Sequence, residues 1–372
     1  MLSIKKIELP EKCRIICVSD MHAHYDEFAR LLRKSGYDKK NDYLFILGDI
    51  MERGKQNIEL LRYVMRLTDE SDRVYCVLGN NDTMAVRMAY SDSVEKFRSR
   101  LTDRPENAFY DMAHSIGIKD PLDDFENNRE KVRKEFKAEL GFLSDLPNVI
   151  ETDRHIFVHA GLDNRTDWEN TDEVYSCCKR WWLRETNPCD KYVTVGHFPT
   201  YNYARCNGSN LPIIDDDKRM IAVDGGCTVK LAEQINAFII EKDGQDYTYT
   251  SVFEPTGNYK EYLAVNDDIS EVKSKHIDFD NSRLTVMKKE NSFIYVQDEI
   301  SGNCGYIPEK YTGFWNGNLS GWTDLDSFVT IYKGERFWSY DRIDDYLYGI
   351  TESGKVGFIK EKSVREYKEK YV

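Results

Sequence analysis

The sequence predicts an α/β protein over its first two-thirds and a smaller all-β region after it, on three observations. Six short apolar runs each stop at a carboxylate, amide or imidazole residue. A polar, helix-compatible stretch between Asn81 and Phe142 interrupts them. After about residue 245 the pattern changes to short segments rich in Tyr, Phe, Val and Thr, parted by Gly, Asn and Asp turns.

The runs have the length and continuous apolar character of strands buried on both faces. Ile15-Ile16-Cys17-Val18 leads into Asp20-Met21-His22, and Leu44-Phe45-Ile46-Leu47 into Gly48-Asp49. Val74 to Leu78 leads into Gly79-Asn80-Asn81-Asp82. Ile156-Phe157-Val158 delivers His159, Val193-Thr194-Val195 delivers Gly196-His197, and Ile221-Ala222-Val223 ends on Asp224. Loops at strand ends are where a rigid sheet presents its chemistry. Asp20, His22, Asp49, Asn80, His159 and His197 together offer oxygen and nitrogen but no thiolate, a set suited to Mn²⁺, Fe or Zn²⁺. Asp49, central in the order, is the candidate bridge between two ions. Such a pair, about 3.5–4 Å apart, can polarise a phosphoryl oxygen for in-line attack. Arg53, in a turn bracketed by Gly48 and Gly54, could grip two phosphate oxygens.

With these motifs in place the chain resembles the calcineurin-like metallophosphoesterases, and most closely the bacterial members of their PPP-type serine/threonine phosphatase branch. That branch carries D-x-H, G-D-x-x-D-R-G, G-N-H-E/D, H-A-G and G-H. Here they read Asp20-Met21-His22, Gly48 to Gly54, Gly79 to Asp82, His159-Ala160-Gly161 and Gly196-His197. The resemblance covers roughly residues 12 to 240. It implies a four-layer αββα sandwich of two mixed sheets, two divalent metal ions (Mn²⁺ first, Fe or Zn²⁺ as alternatives), and direct attack on phosphorus by a metal-bridging hydroxide. It further implies phosphate-binding roles for Arg53 and, within Trp181-Trp182-Leu183-Arg184-Glu185, for Arg184.

Two departures bear on catalysis. Asn81 stands where the family has its general-acid histidine, and Glu52 where it has the aspartate that orients that imidazole. An amide donates a hydrogen bond but no proton, and general acid catalysis is worth about 10²–10⁴-fold. The expected activity is therefore phosphomonoester hydrolysis biased toward good leaving groups, with Asn81 touching substrate as a hydrogen-bond donor, unless His24 or Asp82 supplies the proton. Alternatives are a phosphodiesterase, a dinucleoside-polyphosphate hydrolase, or a degenerate phosphatase that serves as a binding protein.

Composition agrees with a soluble enzyme. The 372 residues are 41% hydrophobic and 31% charged, with a formal net charge of −13, which disfavours nucleic acid as partner. No apolar run is long enough to span a bilayer, and no secretory h-region follows Met1. Nine cysteines, an odd number, suggest reduced thiols in a cytoplasm.

The expected organisation is a catalytic domain over residues 1–245, with a helical insertion or cap at 83–141, and a β-rich domain over 246–372. The latter contains an internal repeat, about 283–311 and 328–364: Ser301-Gly302-Asn303-Cys304-Gly305-Tyr306-Ile307 is echoed by Ser353-Gly354-Lys355-Val356-Gly357-Phe358-Ile359. Each copy reads as a strand, a Gly-turned hairpin and a second strand, and resembles the closing part of SH3-like barrels. Aromatics such as Tyr306, Phe314, Trp315, Trp322, Phe337 and Trp338 would fill such barrels or bind an extended peptide of a partner protein.

Overall fold

The computed structural model describes residues 1–91, 93–104, 106–203, 208–271, 277, 283–321 and 328–367, without the side chains of 101–103. Trp322 lies outside the described residues. Two compact units are present: residues 1–198, 212–228 and 235–254 form one, and 199–211, 229–234 and 255–372 the other.

The first unit is built on two sheets. Its strands are β1 (Ile4–Lys6), β2 (Lys12–Val18), β3 (Tyr43–Ile46), β4 (Val74–Cys76), β5 (Val149–Glu151), β6 (His155–Val158), β7 (Tyr192–Val195), β8 (Ile213–Asp215), β9 (Met220–Ala222), β10 (Gln234–Asp243) and β11 (Asp246–Pro255). One sheet has the order β11-β10-β2-β3-β4, the other β1-β5-β6-β7-β9-β8. Both are mixed: β2, β3 and β4 run parallel while β10 pairs antiparallel to β2. In the second sheet β6, β7 and β9 are parallel, β5 is antiparallel to β6 but parallel to β1, and β8 is antiparallel to β9.

The continuous apolar runs are explained by burial on both faces. Along β2, Ile15 and Cys17 join Phe45, Phe157, Ile221 and Phe238 in a core drawn from both sheets. Ile16 and Val18 point the other way, into a core with Phe28, Leu31, Leu60 and Val64 of the helices. Those belong to α1 (Tyr25–Lys34) and α2 (Asn57–Glu70). Short helical segments accompany the second sheet, including the turn at Trp182–Arg184, which contacts β9. Parallel strand order in each sheet brings the C-terminal ends of successive strands to one edge, which is where the ligand-type residues emerge.

The stretch read as a helical insertion forms α3 (Asp82–Tyr90), α4 (Val94–Asp103), α5 (Ala108–Ser115), α6 (Phe125–Glu135) and α7 (Lys137–Ser144). It is not a solvated string of helices, because Phe97, Phe109, Met112, Val132, Phe136 and Leu140 are buried in the same core as α1 and α2.

The second unit is all-β, with antiparallel sheets. The repeat takes the same form twice: a hairpin strand pair, then a single 3₁₀ turn, at Phe293–Tyr311 and at Tyr346–Ser363. Each copy has its own small core, Leu284, Ile294, Val296 and Ile307 in one and Phe337, Leu347 and Ile359 in the other. Phe293, Phe337, Trp338, Tyr348 and Phe358 are buried, whereas Phe314 and Trp315 are 80% and 74% exposed.

Candidate metal centre

Asp20 and His22 follow β2, Asp49 follows β3, Asn80 follows β4, His159 follows β6 and His197 follows β7. The loops after β2 and β3 are zipped to one another, with Asp20 N donating to Gly48 O, His22 N to Asp49 O and Ala23 N to Ile50 O. Sequence order thus becomes spatial convergence through parallel strand pairing and these loop bonds.

Two groups of side chains could each hold a cation: Asp20, His22 and Asp49, and Asp49, His159 and His197. Asp49 is common to both. Its Oδ2 lies 3.8 Å from His22 Nε2 and its Oδ1 lies 3.4 Å from His159 Nε2, the disposition of a carboxylate shared between two ions. The Oδ1 position of Asn80 is 3.1 Å from His159 Nε2 and 2.8 Å from His197 Nδ1. With oxygen inward, this amide and the ring nitrogens turn lone pairs to one point, the orientation a cation requires; with nitrogen inward it would donate to both rings.

Outer contacts set the rings. His159 Nδ1 sits 2.7 Å from Leu47 O and His22 Nδ1 3.3 Å from Met51 O, so each Nδ1–H donates outward and leaves Nε2 to face the centre. Asp20 Oδ2 accepts from Ser19 Oγ and from His197 N at 2.8 Å.

The electrostatics fit a cation. Burial pushes the Asp20 carboxyl up to about 6, aided by Asp49 and opposed by His159. Burial also resists ionisation of Asp49, yet the surrounding His159, His22 and His197 hold it below the usual carboxylate range. Burial lowers His22 to about 4 and, with the charge on His159, lowers His197 to about 3. Burial opposes a charge on His159, but Asp49 and Asp20 outweigh it and raise it to about 10. Carboxylates that draw positive charge onto a wholly buried imidazole suit a divalent ion at the same place.

The backbone is strained where these groups gather. Asp20, His22, Asp49 and His197 have φ of 53°, 45°, 54° and 65°, left-handed values that cost side-chain-bearing residues about 1–3 kcal/mol each. Asp82 offsets part of this. Its Oδ1 accepts from Ile50 N (2.8 Å) and Met51 N (3.1 Å), and its Oδ2 from Asp49 N (2.9 Å) and Gly79 N (3.0 Å). With both oxygens accepting from the backbone, Asp82 anchors the loops of the centre. His24 is tied elsewhere too, with Nδ1 2.8 Å from His22 O and 3.4 Å from Cys227 Sγ.

The altered pair at 52 and 81 turns to the helical insertion. Asn81 Nδ2 donates to Asp49 Oδ2, and Asn81 Oδ1 accepts from Arg104. Glu52 does not reach Asn81: one oxygen accepts from Ala108 N at 3.1 Å, at the start of α5, and Oε2 is buried with no partner among the described residues. Burial raises Glu52 to about 7. Arg53 is half-buried, and its Nε has no hydrogen-bond partner among the described residues. Arg184 is exposed and stacks 3.6 Å from the Trp181 ring centroid. Arg180 and Arg104 were not singled out from sequence, and the buried Asp224 was read as the end of an apolar run without being placed among the ligands. Arg180 lowers His197, and Asp224, raised by burial and by Asp20, belongs to the acidic cluster. Asp224 had a signal, the sixth apolar run ending on it; Arg104, remote in sequence, had none.

Residues 13–229 match the family model for calcineurin-like phosphoesterase. A symmetrical bis(5'-nucleosyl)-tetraphosphatase of Buchnera aphidicola (subsp. Acyrthosiphon pisum, strain Tuc7) is 46% identical over 65 residues, 18% of this chain and 23% of that protein. One of the same name from Vibrio parahaemolyticus is 25% identical over 152 residues, 41% of this chain and 46% of that protein. The chain thus spans less than half the length of either relative. A serine/threonine phosphatase structure from Saccharomyces cerevisiae, with similarity to human PP5, aligns at 13% identity and TM-score 0.42, covering 69% of this chain and 85% of that one.

Proposed function

The chain belongs to the calcineurin-like phosphoesterase family, and from that premise we propose that it hydrolyses phosphoryl compounds whose leaving group departs as a stable anion. Phosphoanhydrides of the dinucleoside-polyphosphate kind come first, aryl phosphomonoesters next, and alkyl monoesters such as phosphoserine last. One observation carries this reading: the side chain at position 81 is an amide held between Asp49 and Arg104, with no proton to give. Loss of general acid catalysis, about 10²–10⁴-fold, falls hardest on an alkoxide and least on a phosphate anion. The names of the matched relatives point the same way.

In this reading Asp20, His22 and Asp49 would hold one divalent ion and Asp49, Asn80, His159 and His197 the other. When bound, these ions supply Lewis acidity to the phosphoryl group and acidify the attacking water. Arg53 orients the phosphoryl oxygens and meets the charge that grows on them. Asn81 steadies the shared carboxylate rather than protonating the leaving oxygen. Mn²⁺ as the native ion, a cytoplasmic setting, and an SH3-like second unit that takes a peptide through Phe314 and Trp315 complete the proposal. They rest on the donor set, the reduced cysteines and the repeated hairpin.

The test is parallel hydrolysis, with Mn²⁺, of a dinucleoside tetraphosphate, p-nitrophenyl phosphate, bis-p-nitrophenyl phosphate and a phosphoserine peptide, with Asp49→Asn as control. The expected order places the tetraphosphate and p-nitrophenyl phosphate well above the peptide. A peptide rate equal to the others would overturn the leaving-group argument. A dominant diester rate would make the protein a phosphodiesterase, and no turnover of any substrate would make it a binding protein.

A further inference from the structure

We propose that Arg104, carried by the helical insertion, determines specificity by binding the phosphoryl group on the leaving side of a P–O–P substrate. The proposal rests on the anhydride reading above and deepens it.

Arg104 directly follows α4, more than twenty residues beyond the Asn80–Asn81 turn, yet its Nη1 donates to Asn81 Oδ1 and lies 3.6 Å from Met84 Sδ. Asn81 in turn donates to Asp49. The guanidinium is therefore two hydrogen bonds from the carboxylate common to both ligand groups. It is half-buried, and among the described residues no carboxylate lies within 4 Å of it. Of its five N–H donors, Asn81 and Met84 engage only the Nη1 end.

A cation withdrawn from water without an anion beside it is costly, and here the obvious partner is spent elsewhere. Glu52 gives one oxygen to Ala108 N and leaves the other unpartnered, although its charge is felt at Arg104. Arg53, in the loop after β3, has a buried Nε with no hydrogen-bond partner among the described residues. Its charge and burial both weaken the proton hold of Arg104. Two guanidinium groups whose charges oppose each other, each with spare donors, are reconciled by an anion of more than one phosphoryl group. A monoester offers a single phosphoryl group, for which Arg53 and the metal ligands suffice. A polyphosphate chain offers a second charged group across the scissile bond, and the planar guanidinium fork matches its oxygens.

The step balances without a proton donor. Water adds to the attacked phosphorus, the bond from that phosphorus to the bridging oxygen breaks, and the bridging oxygen leaves with the electron pair as part of a phosphate anion. Arg104 meets that charge, and the proton from water passes to solvent. A fixed cation thus occupies the role that a general acid plays for alkyl esters, which explains why both members of the family's acid pair can be absent together.

The experiment compares the full-length protein with Arg104→Gln and Arg104→Lys. Calorimetry with a methylene-bridged, non-hydrolysable dinucleoside tetraphosphate is run with and without Mn²⁺, beside kcat/KM for the tetraphosphate and for p-nitrophenyl phosphate. Arg104→Gln is expected to weaken analogue binding at least tenfold and to lower tetraphosphate kcat/KM by about 10²-fold. The p-nitrophenyl phosphate value should fall by no more than about fivefold, and Arg104→Lys should recover part of both tetraphosphate effects. Unchanged analogue affinity, or equal falls on the two substrates, would overturn the proposal and leave Arg104 as a brace for Asn81. A wild-type protein that binds the analogue through Arg104 but turns over only p-nitrophenyl phosphate would uphold this binding role while removing the anhydride reaction.

Discussion

Replacing Asp82 by asparagine tests how the centre is held together. The carboxylate accepts four backbone N–H groups at 2.8–3.1 Å, from Asp49, Ile50, Met51 and Gly79. An asparagine carbonyl can serve two of them, and its NH₂ would then face the other two. Two hydrogen bonds to a charged acceptor are lost, about 1.5–3 kcal/mol each, and two buried donors are left facing a donor. Against this, burial and the neighbouring Asp49 push the Asp82 carboxyl up to about 7, so removing its charge returns part of the loss. The first effect is larger, and a net destabilisation of roughly 2–4 kcal/mol follows. Because the lost bonds position the Asp49 backbone, affinity for Mn²⁺ should fall about 10–100-fold, as for other groups that orient metal ligands. Denaturant unfolding of the metal-free protein and calorimetric Mn²⁺ titration measure the two effects separately. Stability within 0.5 kcal/mol of wild type (an ordinary surface-substitution effect, about ±0.5 kcal/mol) together with Mn²⁺ affinity within about twofold would refute the anchoring argument.

Two further predictions concern pH and packing. His155 is fully buried, stacked near Phe157 and Tyr192, and burial lowers it to about 3. Its folded pKa lies below the unfolded value near 6.5, so between those limits the unfolded chain binds the extra proton and stability falls as pH drops. From pH 7 to 4.5 the advantage of the wild type over His155→Phe should shrink by about 2–3 kcal/mol, read from urea unfolding at each pH; parallel pH profiles would contradict this. At Gly79, an added Cβ would run into the Asp49 nitrogen and Oδ1. Gly79→Ala should therefore abolish Mn²⁺ binding, and a variant with wild-type affinity would show that the loop yields.

Much of the centre was legible in the chain because its chemistry is written at strand ends. An apolar run is a signature of a strand buried on both faces, and β2 shows why: Ile15 and Cys17 serve one core, Ile16 and Val18 the other. The residues at the ends of such strands need only parallel pairing to converge, so Asp20, Asp49, His159 and His197 could be named before any coordinates. The insertion was less legible. Its charged composition suggested a solvated helical insertion, but burial at Phe97, Phe109 and Phe136 depends on partners in α1, α2 and β3 that local pattern does not encode. The sequence also showed glutamate at position 52 and asparagine at position 81 without showing what their side chains touch.

By itself the sequence determined which residue types stand at the strand ends, their order, and that position 81 carries an amide, because these are matters of residue identity. Only the tertiary structure decided that Asp82 is an anchor, that Glu52 turns to Ala108, and that Arg104 reaches Asn81. Those contacts join segments far apart in the chain, and the direction in which a side chain spends its hydrogen bonds is set by the donors that folding places beside it.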